Sequence, residues 1–329
     1  MGSMPRDSIA TFSGLAGDPL DVQRDRVLAA WTGFIDAVAS TDLSRPSRLP
    51  GWTGHDVAVH IADWDERTTL DHLVTQARTA SVAEQVDVES PGLSGAGRVD
   101  ASGSGAGSPN VAGSGPADQD AGNAAVVAAH RTASRADVLA ALARSRQGVA
   151  DWFATDEPST LGRVTVMSVV GPLPLLTVVN AGAYELAVHA LDLHSAPAPS
   201  LLDAGLAALV DVTGVFAHRG GLRTSLTAWT GASGWQVRTD ASGWRTAPVA
   251  TRPPGAAMEG PAAVLLDASA GRRAVPALLA SRALRVHGLP EILRLAPIVD
   301  KIPGLPGGPA LRAATRWIGG TGRLLRLAR

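Results

Sequence analysis

Residues 174–193 read PLLTVVNAGAYELAVHALDL, and this stretch decides the fold because it combines a helical repeat with two polar residues on one face. The proline at its start suits the first turn of a helix, where a missing N–H costs little. Val178, Ala181, Glu185 and His189 then recur every three or four residues. That spacing predicts a helix that turns these four side chains inward, toward the core of a helix bundle.

Three further amphipathic helices are predicted upstream, and the second carries His60 on its apolar stripe. Capping signals mark their starts: Asp18, a Thr53–Asp56 capping box and a Ser134–Asp137 capping box. Four amphipathic helices with one long crossover predict a four-helix bundle over residues 1–198.

Residues 81–123 interrupt this pattern. Between positions 90 and 122 nearly all residues are Gly, Ser, Ala, Pro or Asp, and large apolar side chains are almost absent. Such a segment cannot bury enough surface to offset the entropy of ordering it, which predicts a flexible Gly/Ser-rich insertion between two bundle helices. A substrate lid is the functional alternative, because long loops are often functional.

After residue 198 the pattern becomes that of a small α+β domain over residues 199–288, in which Gly and Ser turns separate short alternating segments of an antiparallel sheet. The predicted helices cover 201–216 and 273–281, and the predicted strands cover 225–229, 235–239, 244–249 and 263–267. Residues 289–329 are broken by prolines and rich in arginine, which predicts a helical arm packed on the body, with a membrane-surface role as the weaker alternative. The chain as a whole is assigned to the α+β class.

The composition argues against several functions. The formal net charge of -1 and a sequence pI near 6.7 argue against a nucleic-acid partner, which needs a basic face. The absence of cysteine excludes disulfides, thiolate metal ligands and a cysteine nucleophile. The most apolar run, 164–179, is interrupted by proline and shorter than the roughly 20 apolar residues that span a bilayer. We therefore expect a cytoplasmic protein without a transmembrane segment, and the sequence does not indicate its oligomeric state.

Glu185 and His189 are four residues apart, so a helix places both side chains on one face about one turn apart. With His60 they form a set of two imidazoles and one carboxylate, which suits Zn²⁺, Fe²⁺ or Ni²⁺ and leaves one coordination position open. Asp63 and Asp192 are candidates to orient the ligand histidines. The alternative is that the histidines are hydrogen-bonded core residues, because spacing alone does not show that His60 converges with the other two.

Two segments resemble the signatures of the mycothiol-dependent maleylpyruvate isomerase family, whose N-terminal domain is a DinB-like metal-binding bundle. They are LPGWTGHDVAVHIA at 49–62 and YELAVHALDL at 184–193. The resemblance implies that His60, Glu185 and His189 are metal ligands, with zinc as the first choice and iron or nickel as alternatives.

The downstream domain is similar to the sterol-carrier-type C-terminal domain of the same family. The segments that carry this similarity are 234–237, 260–267 and 271–273. The insertion at 81–123 and the tail after residue 288 depart from the family pattern, so the resemblance leaves the identity of the substrate open.

The resemblance also implies mycothiol, a low-molecular-weight thiol, as cofactor in an actinobacterial cytoplasm. A metal with an open position can hold such a thiol as the thiolate, which then attacks an electrophilic small molecule. Retention of the thiol gives an S-conjugate, and its release after bond rotation gives isomerisation. S-transfer is narrowly favoured, because nothing in the sequence marks a maleylpyruvate pocket.

Three arginines, Arg272, Arg273 and Arg285, are candidates to bind the thiol cofactor or a substrate carboxylate, which Arg binds in a bidentate manner. Exposed arginines without a site role are the alternative. Two other classes of function stay open: a metal-dependent hydrolase or lyase that uses bound water, and a non-enzymatic carrier of a small ligand.

Overall fold

The N-terminal part of the chain is helical. The computed structural model describes residues 14–64, 69–89, 116–168 and 171–294. A 3-10 turn at Gly14–Gly17 precedes helices α1 (Leu20–Ser40), α2 (Gly54–Ile61), α3 (Thr69–Glu89), α4 (Pro116–Ala129), α5 (Arg135–Phe153), α6 (Glu157–Leu161) and α7 (Leu175–Asp192). A hairpin of β1 (Thr165–Ser168) and β2 (Gly171–Pro174) leads into α7.

The predicted four-helix bundle is confirmed, since α1, α2, α5 and α7 pack around a common core in which Phe34 is completely buried. Both predicted capping boxes form. The backbone N–H of Asp56 donates to the Thr53 hydroxyl at 3.2 Å, and the Asp56 carboxylate accepts from the Thr53 N–H at 2.8 Å. Ser134 and Asp137 make the same reciprocal pair. Each cap of this kind contributes about 1 kcal/mol.

The predicted Asp18 cap is wrong. Helix α1 begins at Leu20 after Pro19, which has no side chain that can cap it. The Asp18 carboxylate instead accepts a hydrogen bond from Arg26 at 2.5 Å, and its backbone N–H donates to the carbonyl of Leu15 in the preceding 3-10 turn. An ion pair with Arg26, in the second turn of α1, therefore takes the carboxylate that the sequence assigned to the helix terminus.

The predicted insertion over 81–123 is helical at both ends, which corrects its boundaries. Helix α3 continues to Glu89 because residues 81–89 contain neither glycine nor proline, and α4 begins at Pro116, where a helix tolerates proline. The remainder of that insertion, residues 90–115, lies outside the described residues. The connection between α5 and α7 contains α6 and the β1–β2 hairpin.

The second part of the chain confirms the α+β class. Its elements are α8 (Pro199–Arg219), β3 (Thr224–Trp229), β4 (Gly234–Asp240), β5 (Gly243–Val249), β6 (Ala257–Glu259), α9 (Ala262–Ser269), α10 (Val275–Ala280), β7 (Arg285–His287) and α11 (Leu289–Arg294). The strands form one sheet in the order β5-β4-β3-β6-β7, in which only β3 and β6 are parallel.

The strand predicted at 263–267 is wrong, because this segment lies inside α9. A short continuous apolar run fits a buried strand and a buried helix equally well, and hydrophobic periodicity does not separate them. The two short strands β6 and β7 were not predicted, since three residues carry too little alternation to be recognised. Of the predicted arm over 289–329, only α11 lies within the described residues.

Helix α8 joins the bundle to the sheet. It packs on α1 and α7 on one side and on β4 and β5 on the other. Gly205 lies so close to α7 that an added Cβ would be 2.4 Å from the Cβ of Ala187. An added Cβ at Gly214 would be 2.4 Å from Cγ2 of Val237 in β4. Glycine at these two positions therefore lets α8 approach both layers closely, and the predicted division at residues 198/199 falls directly before this shared helix.

We expect Gly205→Ala to destabilise the fold by about 1–3 kcal/mol, the usual cost of overpacking a closely packed contact. The methyl group of Ala187 is fixed to the backbone of α7, so the two helices have to separate. Gly148 in α5 is the matched control, since an added Cβ there has no atom within 4 Å. Gly148→Ala is expected to stabilise by about 0.5–1 kcal/mol through helix propensity. Urea unfolding of both variants measures this, and changes of the same sign would contradict it.

Helix α8 is also the one described helix that is long and apolar enough to cross a membrane, with a mean hydropathy of 1.6. Length and composition alone are weak evidence for such a role, because the core helix of a protein passes the same test. In this chain 61% of the apolar window of α8 is buried between the bundle and the sheet. Its apolar character is therefore explained by packing.

Asp211 connects α8 to the sheet and to the N-terminal turn. Its Oδ1 atom accepts hydrogen bonds from the Leu15 N–H at 3.0 Å, from Trp244 Nε1 at 2.9 Å and from the Thr246 hydroxyl at 2.6 Å. The residue is 1% exposed, and within the described part of the chain Oδ2 has no hydrogen-bond partner. Burial raises the pKa of Asp211 to about 6, although the three hydrogen bonds act in the opposite direction.

Candidate metal and thiol site

His189 lies in the last turn of α7, and two acidic residues of the same helix approach its two ring nitrogens. Asp192, three residues later, places Oδ2 at 3.1 Å from Nδ1, and Glu185, four residues earlier, places Oε2 at 3.6 Å from Nε2. His189 is nearly buried and Asp192 is completely buried. The helical spacing in the sequence therefore produces a histidine with one ring nitrogen bonded inside the fold and the other directed at Glu185.

His60 lies at the end of α2 and faces the same place from a second helix. Its ring centroid is 5.2 Å from that of His189, with the ring planes at 78°, and 5.6 Å from the Trp52 ring. The long-range approach of His60 to His189, which spacing in the sequence does not show, is thus present in the structure.

The environment of His60 favours the neutral imidazole. Burial, together with a smaller contribution from the neighbouring His189, lowers the pKa of His60 to about 4. A neutral imidazole is the form that binds a metal, because it has a free lone pair on one ring nitrogen. His60 is therefore kept in its ligand form throughout the neutral pH range.

Glu185 departs from its predicted orientation. Its side chain is 53% exposed, so the expectation that it points into the bundle core is wrong. The buried positions of α7 run through Asn180, Ala183 and Ala187 instead, which face α1 and α8. Glu185 thus lies at the solvent side of the two histidines, which makes this place reachable from water.

The donor set fits a divalent metal in its chemistry, with two imidazoles and one carboxylate on facing helices. Within the described ranges, no three His, Asp or Glu side chains are already spaced as metal ligands. The Glu185 carboxylate lies 3.6 Å from Nε2 of His189, and the His60 ring packs edge-to-face with the His189 ring. Glu185 is exposed and His60 is only partly buried, so both side chains have room to move. Side-chain rotation within this group is what binding of a metal would require.

Arg272 reaches the site from the sheet domain. Its Nε and Nη2 atoms bind Oδ1 and Oδ2 of Asp192, both at 2.9 Å, in a bidentate pair. Burial alone would raise the pKa of Asp192, but hydrogen bonds from His189 and Arg272 outweigh it and hold that pKa below its usual value. The sequence proposed Arg272 as a residue that binds cofactor or substrate, whereas in the structure it binds a protein carboxylate.

Two further contacts join the sheet domain to the site, and the sequence did not predict either of them. Arg48 Nη2 lies 2.9 Å from Asp267 Oδ1, at an angle outside the range for a hydrogen bond, so the two side chains form an ion pair. The Tyr184 hydroxyl lies 3.1 Å from that of Ser269, and burial raises the pKa of Tyr184. Both pairs join segments more than 80 residues apart, which spacing within one segment cannot reveal.

The remaining candidates lie elsewhere. Arg285 pairs with Glu259 at 3.1 Å between β7 and β6. Arg273 is exposed and makes no side-chain hydrogen bond or ion pair among the described residues. The Asp63 carboxylate accepts a hydrogen bond from the backbone N–H of Thr69, the first residue of α3, so it caps a helix. The proposed role of Asp63 in orienting a histidine stays a prediction.

Residues 24–194 match the family model described as mycothiol maleylpyruvate isomerase N-terminal domain. No curated protein sequence matches. A crystal structure of the mycothiol-dependent maleylpyruvate isomerase is 15% identical, with a TM-score of 0.46, and a histidine-to-alanine mutant of mycothiol-dependent maleylpyruvate isomerase is 16% identical, with a TM-score of 0.45. Each match covers 80% of this chain and 93% of the other.

The two structural similarities are too weak to carry an argument about function. The family model, in contrast, spans just over half of the chain and includes His60, Glu185 and His189. The chain therefore belongs to the mycothiol maleylpyruvate isomerase family.

Proposed function

We propose that this chain is a cytoplasmic mycothiol-dependent enzyme that uses a divalent metal held by His60, Glu185 and His189. The supporting observation is the orientation of His189, whose Nδ1 is bonded to Asp192 while Nε2 lies 3.6 Å from Glu185, with the centroid of the His60 ring 5.2 Å from that of His189. Zinc is the metal we propose, with iron or nickel as alternatives. When bound, it would lower the pKa of a coordinating thiol so that the thiolate is present at neutral pH.

The residues of the chain define how the thiol reaches this place. His189 is buried, whereas Glu185 is half-exposed, so the cofactor arrives from the solvent side, past Glu185. The thiol proton leaves toward water on the same side. Because the chain contains no cysteine, the cofactor supplies the only thiol at the site.

The reaction begins when the thiolate sulfur forms a bond to an electrophilic carbon, and the displaced electron pair moves onto the substrate or its leaving group. If the S–C bond persists, the product is an S-conjugate. If it breaks again after rotation about the neighbouring carbon–carbon bond, the thiol is recovered and the substrate is isomerised. Family membership supports an isomerase of this thiol-dependent kind.

We propose S-transfer as the specific reaction. Isomerisation of a dianion such as maleylpyruvate calls for cationic groups that bind two carboxylates. Two of the three predicted arginines, Arg272 and Arg285, are instead paired with Asp192 and Glu259. This pairing favours an electrophile with fewer negative charges.

The test is turnover by the purified, zinc-loaded protein with and without mycothiol, using maleylpyruvate and a set of neutral epoxides and activated halides. We expect S-conjugates by mass spectrometry that depend on both thiol and protein. Turnover of maleylpyruvate without any S-conjugate would overturn S-transfer in favour of isomerisation. Activity that is unchanged when all thiol is omitted would point to a hydrolase or lyase that uses bound water.

A further inference from the structure

Arg272 is the sheet-domain residue that binds the carboxylate next to His189. The Asp192 Oδ2 atom is shared between Arg272 Nη2 at 2.9 Å and His189 Nδ1 at 3.1 Å, and its Oδ1 atom is held by Arg272 Nε. Both carboxylate oxygens are therefore fixed by groups outside Asp192. We infer that Arg272 is a positioning residue, which acts through Asp192 to fix the ring orientation and tautomer of His189.

The hydrogen bond between Asp192 and Nδ1 determines which nitrogen of His189 can bind a metal. A neutral histidine carries its proton on one ring nitrogen, and the hydrogen bond that this nitrogen makes decides which one it is. A carboxylate that accepts from Nδ1 keeps the proton there and leaves the lone pair on Nε2. In this chain Nε2 lies 3.6 Å from Glu185 Oε2, and the His60 ring packs against the His189 ring with centroids 5.2 Å apart, so the proposed metal would bind among these three side chains.

The position of Arg272 is itself determined by the fold. Its backbone N–H donates to the carbonyl of Asp267 at 2.9 Å, so the turn after α9 is tied back to that helix. Gly271 before it has a φ of +69°, a left-handed conformation that glycine adopts without strain and that directs the chain from α9 toward α7. The turn after α9 in the sheet domain therefore places the Arg272 guanidinium next to Asp192.

The alternative is that Arg272 binds the thiol or the substrate, and its contacts argue against this. Two of its three guanidinium nitrogens bind Asp192, and the third, Nη1, lies 3.5 Å from the carbonyl of Ala270. The side chain is only 22% exposed. Little of the group is left to bind a ligand, so its effect passes through Asp192.

The experiment compares Arg272→Ala and Arg272→Lys with Arg273→Ala, the matched control, because Arg273 is adjacent and exposed. Long-range ¹H–¹⁵N spectra of metal-free protein labelled on histidine report the tautomer of each ring, and His189→Ala assigns the His189 signals. We expect Nδ1–H in the wild type and in Arg273→Ala, and a mixture of tautomers in Arg272→Ala. Arg272→Lys keeps the positive charge but has a single donor nitrogen, so its tautomer mixture is expected to be intermediate. It also provides the test if the alanine variant does not fold.

A second readout is zinc affinity, measured by competition with a chelator. We expect Arg272→Ala to weaken it about 10–100-fold, the usual effect of removing a group that orients a metal ligand, with the KM for mycothiol unchanged. His189 signals and zinc affinity that stay as in the wild type, with a raised KM, would overturn the inference in favour of a binding role. The inference rests on the proposed function only for the choice of metal and thiol. The tautomer measurement needs no metal and no thiol, so failure of the inference is distinguishable from failure of the proposed function.

Discussion

Replacement of His189 by alanine is expected to abolish stoichiometric metal binding, with at least a 100-fold loss of affinity, and to abolish thiol-dependent turnover. His189 is the central member of the proposed ligand set, since Glu185 contacts its Nε2 atom and the His60 ring lies against its ring. Removal of the imidazole takes away one of the three proposed ligands and the side chain that both others contact. Mass spectrometry of protein purified without added metal or chelator measures the metal content per chain.

His72→Ala is the matched control for this experiment. His72 is an exposed residue of α3, so its loss should leave the metal content as in the wild type. Full metal content in His189→Ala would show that the ligands lie elsewhere. A wild-type protein that carries no metal and ignores added metal would remove the case for the metal-dependent enzyme and favour the small-ligand carrier.

The stability of the wild type is expected to fall relative to that of Asp211→Asn as the pH rises from 4 to 7. The folded-state pKa of Asp211 is raised to about 6, above its value of 3.8 in the unfolded chain. The folded state therefore holds this proton more tightly, and the resulting stability is fully present below pH 4 and is lost as the pH rises through about 6. The difference corresponds to about 3 kcal/mol.

Asparagine keeps an oxygen that can accept from Leu15, Trp244 and Thr246 but carries no titrating proton. Its amide places an unpaired donor where Oδ2 lies, which costs stability equally at every pH. Urea unfolding of both proteins at several pH values measures the difference, in which the contributions of the other titrating groups cancel. Parallel stability curves would show that Asp211 titrates normally in the folded state.

Local signals in the sequence predicted the bundle helices well. A capping box such as Thr53–Asp56 depends only on residues within a four-residue segment, and the hydrogen bonds of both boxes form as the sequence predicts. The same locality explains the failure at Asp18, whose carboxylate is taken by Arg26, eight residues later. The α9 error has a related cause, because a five-residue apolar run does not contain enough turns to distinguish a helix from a strand.

The candidate site was predicted in its residues but not in its surroundings. The spacing of Glu185 and His189 determines that both lie on one side of α7, but which side faces solvent depends on α1 and α8, which the spacing does not describe. The partners of Arg272 and Arg48 are set by how the sheet domain packs on the bundle. Such contacts follow from tertiary packing, which a single sequence without aligned relatives does not encode in readable form.

Tyr184 is the only tyrosine in the chain, and its hydroxyl meets Ser269 at the contact between bundle and sheet, one residue before Glu185. Biosynthetic incorporation of fluorotyrosine therefore places a single fluorinated residue in each molecule, at the junction that Arg272 and Asp192 also bridge. A single ¹⁹F resonance would then report whether the two parts of the molecule stay in one arrangement or exchange between two while cofactor and substrate bind, without any mutation at the site.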